Sequence, residues 1–567
     1  MVGGEAGQGV QTVGLVLARV LARSGWWVFA DQDYESRIRG GHNFFRVRAR
    51  EGPVHAHSEA LDLLIALDRN SIDLHQSEVA PGGIILCDGE KLKLEQQPPN
   101  TLSVPLERLA REAVSNPLMA NTVAMGAALG VSGYDIGLLE DVLEGHFAAS
   151  GTEVVQANVQ AARAGYHYVT SELKVRTRQQ LTPRGKAGRL LLTGNEALAL
   201  GALAAGCRFM ASYPMTPSTS IMEYMASKGP ELGVAVLHAE DEISAMNMVV
   251  GAAFAGVRAM AATSGGGFCL MVEALGLAGI TETPVVVVEA QRPGPATGLP
   301  TRYGQEDLEF VLHAAQGEFP RAVLAPATAE EAFYLTAHAF NLSERYQTPV
   351  IVLSDHYLAS SYTTVEPFDL NQVKIERGAL IPLGVDPLPD YRRHRLTPDG
   401  ISPRAIPSHP GTLVVTTGDE HDEEGHITED AGLRTRMMLK RLGKLEGMRG
   451  EALPPQVYGT SRPQVTLLGW GSTYGPLREA VDLLDAGGMA ARLVHLSQPW
   501  PLPAQLTGML SDSEGLVVVE QNATGQMAHL LRAETGIAAR GHIRRFDGRP
   551  MSPAFIATRL KEEMARW

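Results

Sequence analysis

Cysteine is scarce in this chain: Cys87, Cys207 and Cys269 are the only three among 567 residues. No two are close in sequence, so the chain cannot by itself hold a four-cysteine iron–sulfur cluster. Such usage fits a reducing compartment, and a cytoplasmic location is expected. Positive charge is also short. There are 49 Lys and Arg against 63 Asp and Glu, a net charge of −14, which excludes the basic footprint of a nucleic-acid binder. Long apolar runs are missing. The start has no basic stretch followed by an apolar core, so no signal peptide is expected. The uncharged run Leu118–Tyr134 carries Asn121 and Ser132, falls short of a membrane span, and reads as a buried helix. Internal repeats and low-complexity tracts are absent.

What is present is alternation. A chain of this length predicts three or four domains, and strand-like and helix-like segments alternate along most of it, the mark of a multidomain α/β protein. Residues 1–172 open with Gly3-Gly-Glu-Ala-Gly-Gln-Gly9, followed by apolar residues at helical spacing. Only Met1 and Val2 precede that glycine turn, so either its strand is missing or the true start lies upstream. Residues 173–189 hold Lys174, Arg176, Arg178, Arg184, Lys186 and Arg189 without an acid, and read as a basic linker. Residues 190–362 contain the clearest strands, among them Val257–Thr263, Pro284–Val288 and Pro349–Leu353. Residues 363–462 are rich in proline and acid and read as an irregular connecting segment with little core. Residues 463–567 form a last α/β unit.

The chemistry-bearing residues sit at strand ends of the 190–362 region, where α/β sheets bind ligands. Tyr213-Pro-Met-Thr-Pro-Ser218 is a turn stiffened by two prolines, which hold Thr216 in place. His238-Ala-Glu-Asp-Glu242 leads into a helix. Glu242 is then either a first-turn acid favoured by the helix dipole or a carboxylate offered to a ligand. Thr263-Ser-Gly-Gly-Gly-Phe268 joins a strand to a helix through Ser264, Gly265 and Gly266, whose backbone a ligand can approach closely. A phosphate loop is the other reading, but no Walker pattern or lysine accompanies it. Gln291-Arg-Pro-Gly-Pro-Ala-Thr-Gly-Leu-Pro-Thr-Arg302 is a shaped loop with two cations, Arg292 and Arg302. Each is either a surface ion-pair partner or a bidentate ligand for a carboxylate. His421 and His426, five apart among acids, make a poor metal pattern, and no metal site is assigned.

The order and wording of these motifs resemble the 2-oxoacid:ferredoxin oxidoreductases, specifically an alpha subunit fused to a gamma domain. Gly4-Glu-Ala-Gly-Gln-Gly-Val10 and Ser36-Arg-Ile-Arg-Gly-Gly-His-Asn43 resemble the gamma signature, and imply a scaffold near a coenzyme A site. The 190–362 region resembles the thiamine-diphosphate pyrimidine-binding domain. Gly469-Trp-Gly-Ser472 and Val519–Gln526 resemble a transketolase carboxy-terminal-like domain. The family's Glu-x-x-Ala-x-x-x-x-x-Gly pattern falls on Glu242, Ala245 and Gly251, and implies that Glu242 contacts the aminopyrimidine; Glu240, two residues earlier, is the alternative. Tyr-Pro-Ile-Thr-Pro becomes Tyr213-Pro-Met-Thr-Pro217 here, which implies a substrate contact for Thr216 and cofactor contacts for Tyr213 and Pro214. Gly-Leu-Pro-Thr-Arg302 implies a substrate-carboxylate role for Arg302, with Arg292 second. Ser264, Gly265 and Gly266 are expected to pack against the cofactor.

No Gly-Asp-Gly, the Mg²⁺–diphosphate motif of thiamine enzymes, occurs in the chain. The resemblance therefore implies a beta subunit that carries that half-site, the Mg²⁺ ion and a [4Fe-4S] cluster. It further implies ferredoxin as acceptor, coenzyme A as cosubstrate and a dimer of alpha–beta heterodimers. 2-Oxoglutarate is the expected substrate, giving succinyl-CoA, CO₂ and reduced ferredoxin. Pyruvate or a branched-chain 2-oxoacid, or a non-catalytic α/β scaffold, are the rival readings.

Overall fold

The computed structural model describes residues 1–567 except 37–39, 94–97, 99, 178–180, 186–187, 386–389, 411 and 512. Arg37, Ile38 and Arg39 of the second gamma-like motif, and Arg178 and Lys186 of the basic linker, thus lie outside the described residues. The chain forms two compact units, one of residues 1–192 with 361–367 and one of residues 193–360 with 368–567.

The first unit is built on an eight-stranded mixed sheet. The glycine motif itself forms its strand Val2–Ala6, paired antiparallel to Gly40–Arg50 and parallel to Leu61–Ala66. A strand was expected before Gly3, but Gly3 and Gly4 lie within it, and the turn falls at Gly7–Gly9, ahead of helix Val10–Arg23. Trp27–Asp33 and Tyr362–Val365 extend the sheet. The uncharged run forms the buried helix Ala120–Ser132. It packs backbone-to-backbone on Thr152–His167: a Cβ at Gly126 would lie 1.8 Å from Ala162 O, and one at Gly165 would lie 2.0 Å from Val123 O. Only glycine permits that approach.

The second unit carries two sheets. The first runs, in spatial order, Ala322–Leu324, Val350–Asp355, Val286–Gln291, Ala259–Thr263, Phe209–Ser212, Ala235–His238, every pairing parallel. Its central strands read as continuous apolar runs because helices cover both faces, and Val285–Val288 are buried throughout. The second sheet places Ala491–Leu496, Val465–Trp470, Leu516–Glu520 and Gly541–Arg544 in parallel, with Gln456–Gly459 antiparallel at the edge. One apolar cluster runs through both sheets, from Val287 and Ile351 to Leu468, Trp470 and Val518.

Residues 363–462 depart from the irregular segment expected of them. They include the 20-residue helix Ala431–Gly450, capped by Asp430, which accepts from Leu433 N at 2.6 Å. Its buried face is Met437, Lys440, Arg441, Lys444 and Met448. The spacing is helical but three of the five residues are cationic, so hydrophobic periodicity does not reveal it. Those cations are answered within the unit. Lys440 Nζ lies 2.5 Å from Glu282 Oε1, Lys444 pairs with Glu282 Oε2, and Arg441 reaches Glu420 at 2.8 Å.

Among the described residues, no helix is long and apolar enough to cross a membrane.

Candidate active-site surface

The C-terminal ends of the first sheet in the second unit gather most of the sequence-selected residues. Glu242 begins helix Glu242–Phe254, whose N-cap Asp241 accepts from Ser244 N at 2.7 Å. Asp241 therefore does the capping, and Glu242 is released from it. Its side chain is 3% exposed, and its Oε1 has no hydrogen-bond partner. Such a carboxylate oxygen is costly unless something else meets it. Glu240 is exposed.

The glycine loop lies against this carboxylate. Strand Ala259–Thr263 ends, Ser264 takes extended geometry, and helix Gly265–Ile280 starts. A Cβ on Gly267 would stand 2.6 Å from Glu242 Oε1 and 2.1 Å from Thr263 Oγ1. Glycine is thus required for the helix to start beside Glu242. Ser264 makes no capping bond, and its Oγ is buried without a partner. Gly265 is half-buried and Gly266 exposed.

The Tyr-Pro-Met-Thr-Pro turn is held from two sides. Asn195 Nδ2 donates to Pro217 O at 2.8 Å, and Arg292 Nη1 donates to Thr216 O at 2.7 Å. Tyr213 is exposed, with its ring 5.9 Å from that of His238, and Pro214 is half-buried. Thr216 and Arg292 are therefore in contact, although the sequence separates them by 76 residues. Arg302 is half-buried at the far end of the same loop. Its neighbour Tyr303 donates from N to Gly548 O at 3.1 Å, and a Cβ at Gly548 would lie 3.1 Å from Arg302 Cβ. Both cations act on one group: burial lowers the pKa of His356 to about 4, and repulsion from Arg302 and Arg292 adds to this. Arg292 and Arg302 thus both act on His356, and Arg292 also clamps Thr216 O.

Three further residues belong to this surface that sequence reasoning missed. Asn195 follows a Thr193–Glu196 capping box, a legible helix start, but its bond to Pro217 is tertiary. Glu289 lies inside strand Val286–Gln291, fully buried, with neither carboxylate oxygen partnered. Its acidity is suppressed: burial first, then repulsion by Asp307 and Asp355, raise its pKa well above the ordinary value despite Arg292. Asp307 sits against the glycine loop, its Oδ2 2.6 Å from a Cβ built on Gly265. Burial, then Glu306, lifts its pKa to about 6, opposed by Arg292. An acid within an apolar strand run was the available signal for Glu289.

A second polar cluster lies at the other end of helix Gly265–Ile280. Glu282, His394 and His421 could present ligand atoms within 4.8 Å of one another. The ammonium groups of Lys440 and Lys444 already contact both Glu282 oxygens, however, so protein cations balance this carboxylate. His426 is exposed and pairs only with nearby acids. In the first unit, a cavity of about 310 Å³ is lined by residues including Leu17, Phe45, Arg46, Asp62 and Tyr134, none of them a sequence-selected site residue.

A parallel sheet with a buried carboxylate oxygen that lacks a hydrogen-bond partner, a glycine loop and Arg292 at its strand ends has the layout in which α/β sheets bind ligands. The family model described as pyruvate flavodoxin/ferredoxin oxidoreductase, thiamine diphosphate-binding, matches residues 200–440, and that of pyruvate ferredoxin/flavodoxin oxidoreductase matches residues 1–168. The chain is 33% identical to the 2-oxoacid:ferredoxin oxidoreductase 2 alpha subunit of Aeropyrum pernix, over 99% of this chain and 97% of that protein. It is 33% identical to the 2-oxoglutarate synthase subunit KorA of Methanothermobacter marburgensis, over 61% of this chain and 92% of KorA. Among solved structures it resembles the 2-oxoglutarate:ferredoxin oxidoreductase of Magnetococcus marinus, determined with 2-oxoglutarate, coenzyme A and succinyl-CoA bound. That match has a TM-score of 0.92 and 32% identity, and covers 99% of this chain and 98% of the other. The chain belongs to the alpha subunits of the 2-oxoacid:ferredoxin oxidoreductase family. It is thus an oxidoreductase subunit with a thiamine-diphosphate-type domain, part of a multi-subunit enzyme.

Proposed function

We propose that this chain supplies the pyrimidine half of a shared thiamine diphosphate site and that its enzyme converts 2-oxoglutarate and coenzyme A, with oxidised ferredoxin, to succinyl-CoA, CO₂ and reduced ferredoxin. The observation that carries the reading is the buried Glu242 Oε1, unpartnered and facing a helix start that only glycine allows. An aminopyrimidine ring nitrogen is the kind of group that such an oxygen would meet. When bound, the cofactor supplies the carbanion chemistry of decarboxylation. Glu242 would hold the proton at the ring nitrogen it faces. Ser264, Gly265 and Gly266 would form the wall beside it, with Tyr213 and Pro214 opposite. Thr216 and Arg302 would orient the 2-oxoacid, Arg302 through the paired donors that suit a carboxylate. Arg292 would fix the Thr216 turn. The first unit, with Gly3–Gly9, would serve the coenzyme A side.

Two features support a partner that completes the site. The chain has neither Gly-Asp-Gly nor a cysteine set, so Mg²⁺, the diphosphate and a [4Fe-4S] cluster fall to a beta subunit. Large apolar side chains are also exposed along the site's own elements: Tyr213, Leu237, Ile243, Met248 and Leu270. Such a grouping marks an interface. The choice of 2-oxoglutarate follows the names of the KorA relatives and the ligands of the Magnetococcus enzyme.

The test is reconstitution with a beta subunit, followed by substrate profiling. The pair should reduce ferredoxin fastest with 2-oxoglutarate, and the chain alone should not turn over. A preference for pyruvate or a branched-chain 2-oxoacid would reassign the substrate, and turnover by the chain alone would end the shared-site reading. In the pair, Arg302→Lys keeps the charge but loses the fork, and should raise KM for the 2-oxoacid while leaving thiamine diphosphate affinity unchanged.

A further inference from the structure

The function proposed above leaves Glu289 and Asp307 unused, yet they flank the 291–302 loop in sequence. Strand register puts Glu289 beside Thr263 on one side and Leu353 on the other, with Gln291 beside Asp355. Thr263 is the residue next to the cofactor wall. Asp307 is tied to the same strand, since its backbone N donates to Gln291 Oε1 at 3.1 Å. The Asp307 carboxylate abuts Gly265 at the start of helix Gly265–Ile280. Arg292, three residues beyond Glu289, clamps Thr216 O. Arg292 acts electrostatically on both carboxyl groups, lowering the pKa of each against burial. Both oxygens of the fully buried Glu289 lack any hydrogen bond. A carboxylate cannot stay ionised there without a partner, and a second carboxyl nearby makes double ionisation costlier still. The charged and titratable groups acting on the pair are Arg292 and Glu306 from the loop, Asp355 from the neighbouring strand and Cys269 from the helix.

We propose that Glu289 and Asp307 are positioning residues that hold a proton behind Arg292, so that the cation stays uncancelled and attracts the anionic 2-oxoacid. This rests on the reading of the 291–302 loop as the substrate side. While Asp307 keeps its proton neither group opposes Arg292, and Glu289, raised further, stays neutral when Asp307 ionises. When Asp307 ionises, a full negative charge appears behind the loop and the substrate is held more weakly. The expected titration lies near pH 6, where burial places Asp307, while the carboxylates of a 2-oxoacid remain ionised throughout.

Two measurements test it. In the reconstituted pair, KM for 2-oxoglutarate should rise on the order of 3–10-fold as pH climbs through about 6, with kcat changing less. Asp307→Asn should flatten that rise, and Glu289→Gln, a neutral mimic of the protonated acid, should preserve it. A KM profile in Asp307→Asn that matches the parent's would overturn the proposal. The second readout needs no turnover. Cys269 is exposed, whereas Cys87 and Cys207 are buried. Its thiol pKa is raised by burial and then by Asp307. In the full chain alone, the iodoacetamide reaction of Cys269 should climb with pH, bend to a shallower slope near pH 6 as Asp307 ionises, and lose the bend in Asp307→Asn. The same unbent line in parent and variant would show that no proton is held there. If the pair turns over no 2-oxoacid, the functional reading fails, while the alkylation profile still decides whether the proton is held.

Discussion

Two buried glutamates, seven residues apart, are treated in opposite ways. Glu282, before strand Val286–Gln291, meets Lys440, Lys444 and His394. Burial alone would raise its pKa, but Lys444 and Lys440 outweigh it and hold the group well below the ordinary range. Glu289, near the far end of the strand, meets no donor at all. The two ends of one strand thus divide the labour. The amino end is closed: its charge is balanced, and it docks the helix Ala431–Gly450. The carboxyl end, where open sheets bind ligands, keeps unsatisfied groups at Glu242, Ser264 and Glu289. An uncompensated buried polar group costs stability, so its retention at three neighbouring positions points to ligand chemistry rather than to folding.

Glu242 should give the largest effect if this division is right. Glu242→Ala removes an oxygen that no protein group hydrogen-bonds, so the fold and assembly should survive. C2-proton exchange of bound thiamine diphosphate in the reconstituted pair should nevertheless fall on the order of 10²–10⁴-fold. Normal exchange in that variant, with a defect in Glu240→Ala, would move the proposed aminopyrimidine contact by two residues.

The next effect lies at the closed end. Glu282→Gln leaves two ammonium groups buried without a counter-charge, and should cost about 3–5 kcal/mol in denaturant unfolding. Measured below pH 4.5, where its carboxyl is protonated folded or unfolded, Glu289→Gln changes no partnered group and should shift stability by no more than about 1 kcal/mol. Equal losses in the two variants would erase the contrast between the strand ends.

The same contrast explains what the sequence could show. Strand Ala259–Thr263, the glycine helix start and the helix after Asp241 were legible, because parallel strands read as apolar runs and glycine marks close approach. Glu242, Thr216 and Arg302 were singled out by motif resemblance rather than by periodicity; Glu242 starts the helix Glu242–Phe254, Thr216 lies in the proline-bounded turn and Arg302 in the loop after strand Val286–Gln291. Helix Ala431–Gly450 was not legible. Its inward face is Lys440, Arg441 and Lys444, and nothing local says that Glu282 and Glu420 wait for them, 158 and 21 residues away. The Arg292–Thr216 clamp was hidden likewise, since long-range hydrogen bonds leave no period in a sequence. The first unit's opening strand was misplaced because two of its five residues are glycine, which ordinarily signals a turn.

The smallest effect is a pH dependence that should carry opposite signs at the two ends. Glu420 contacts Arg441 and Arg434. Burial would raise its pKa, but hydrogen bonds from the two arginines bring it down from 4.5 to about 2. Like Glu282, it binds its proton less tightly when folded. Stability from both groups is therefore full above pH 4.5, their ordinary value, and is lost as pH falls, for Glu420 across the interval from 4.5 to about 2. Glu289 has the reverse sign. Its folded pKa is raised, so its contribution is full below 4.5 and is lost as pH rises through the folded value. Denaturant midpoints measured across pH should thus show an acid limb that flattens in Glu420→Gln and a neutral-side decline that flattens in Glu289→Gln. Glu420 is partly solvent-screened, so its share should be the modest one. If Glu289→Gln changed the acid limb instead, its carboxyl would be ionised in the folded protein, and the open end of the strand would be as well balanced as the closed one.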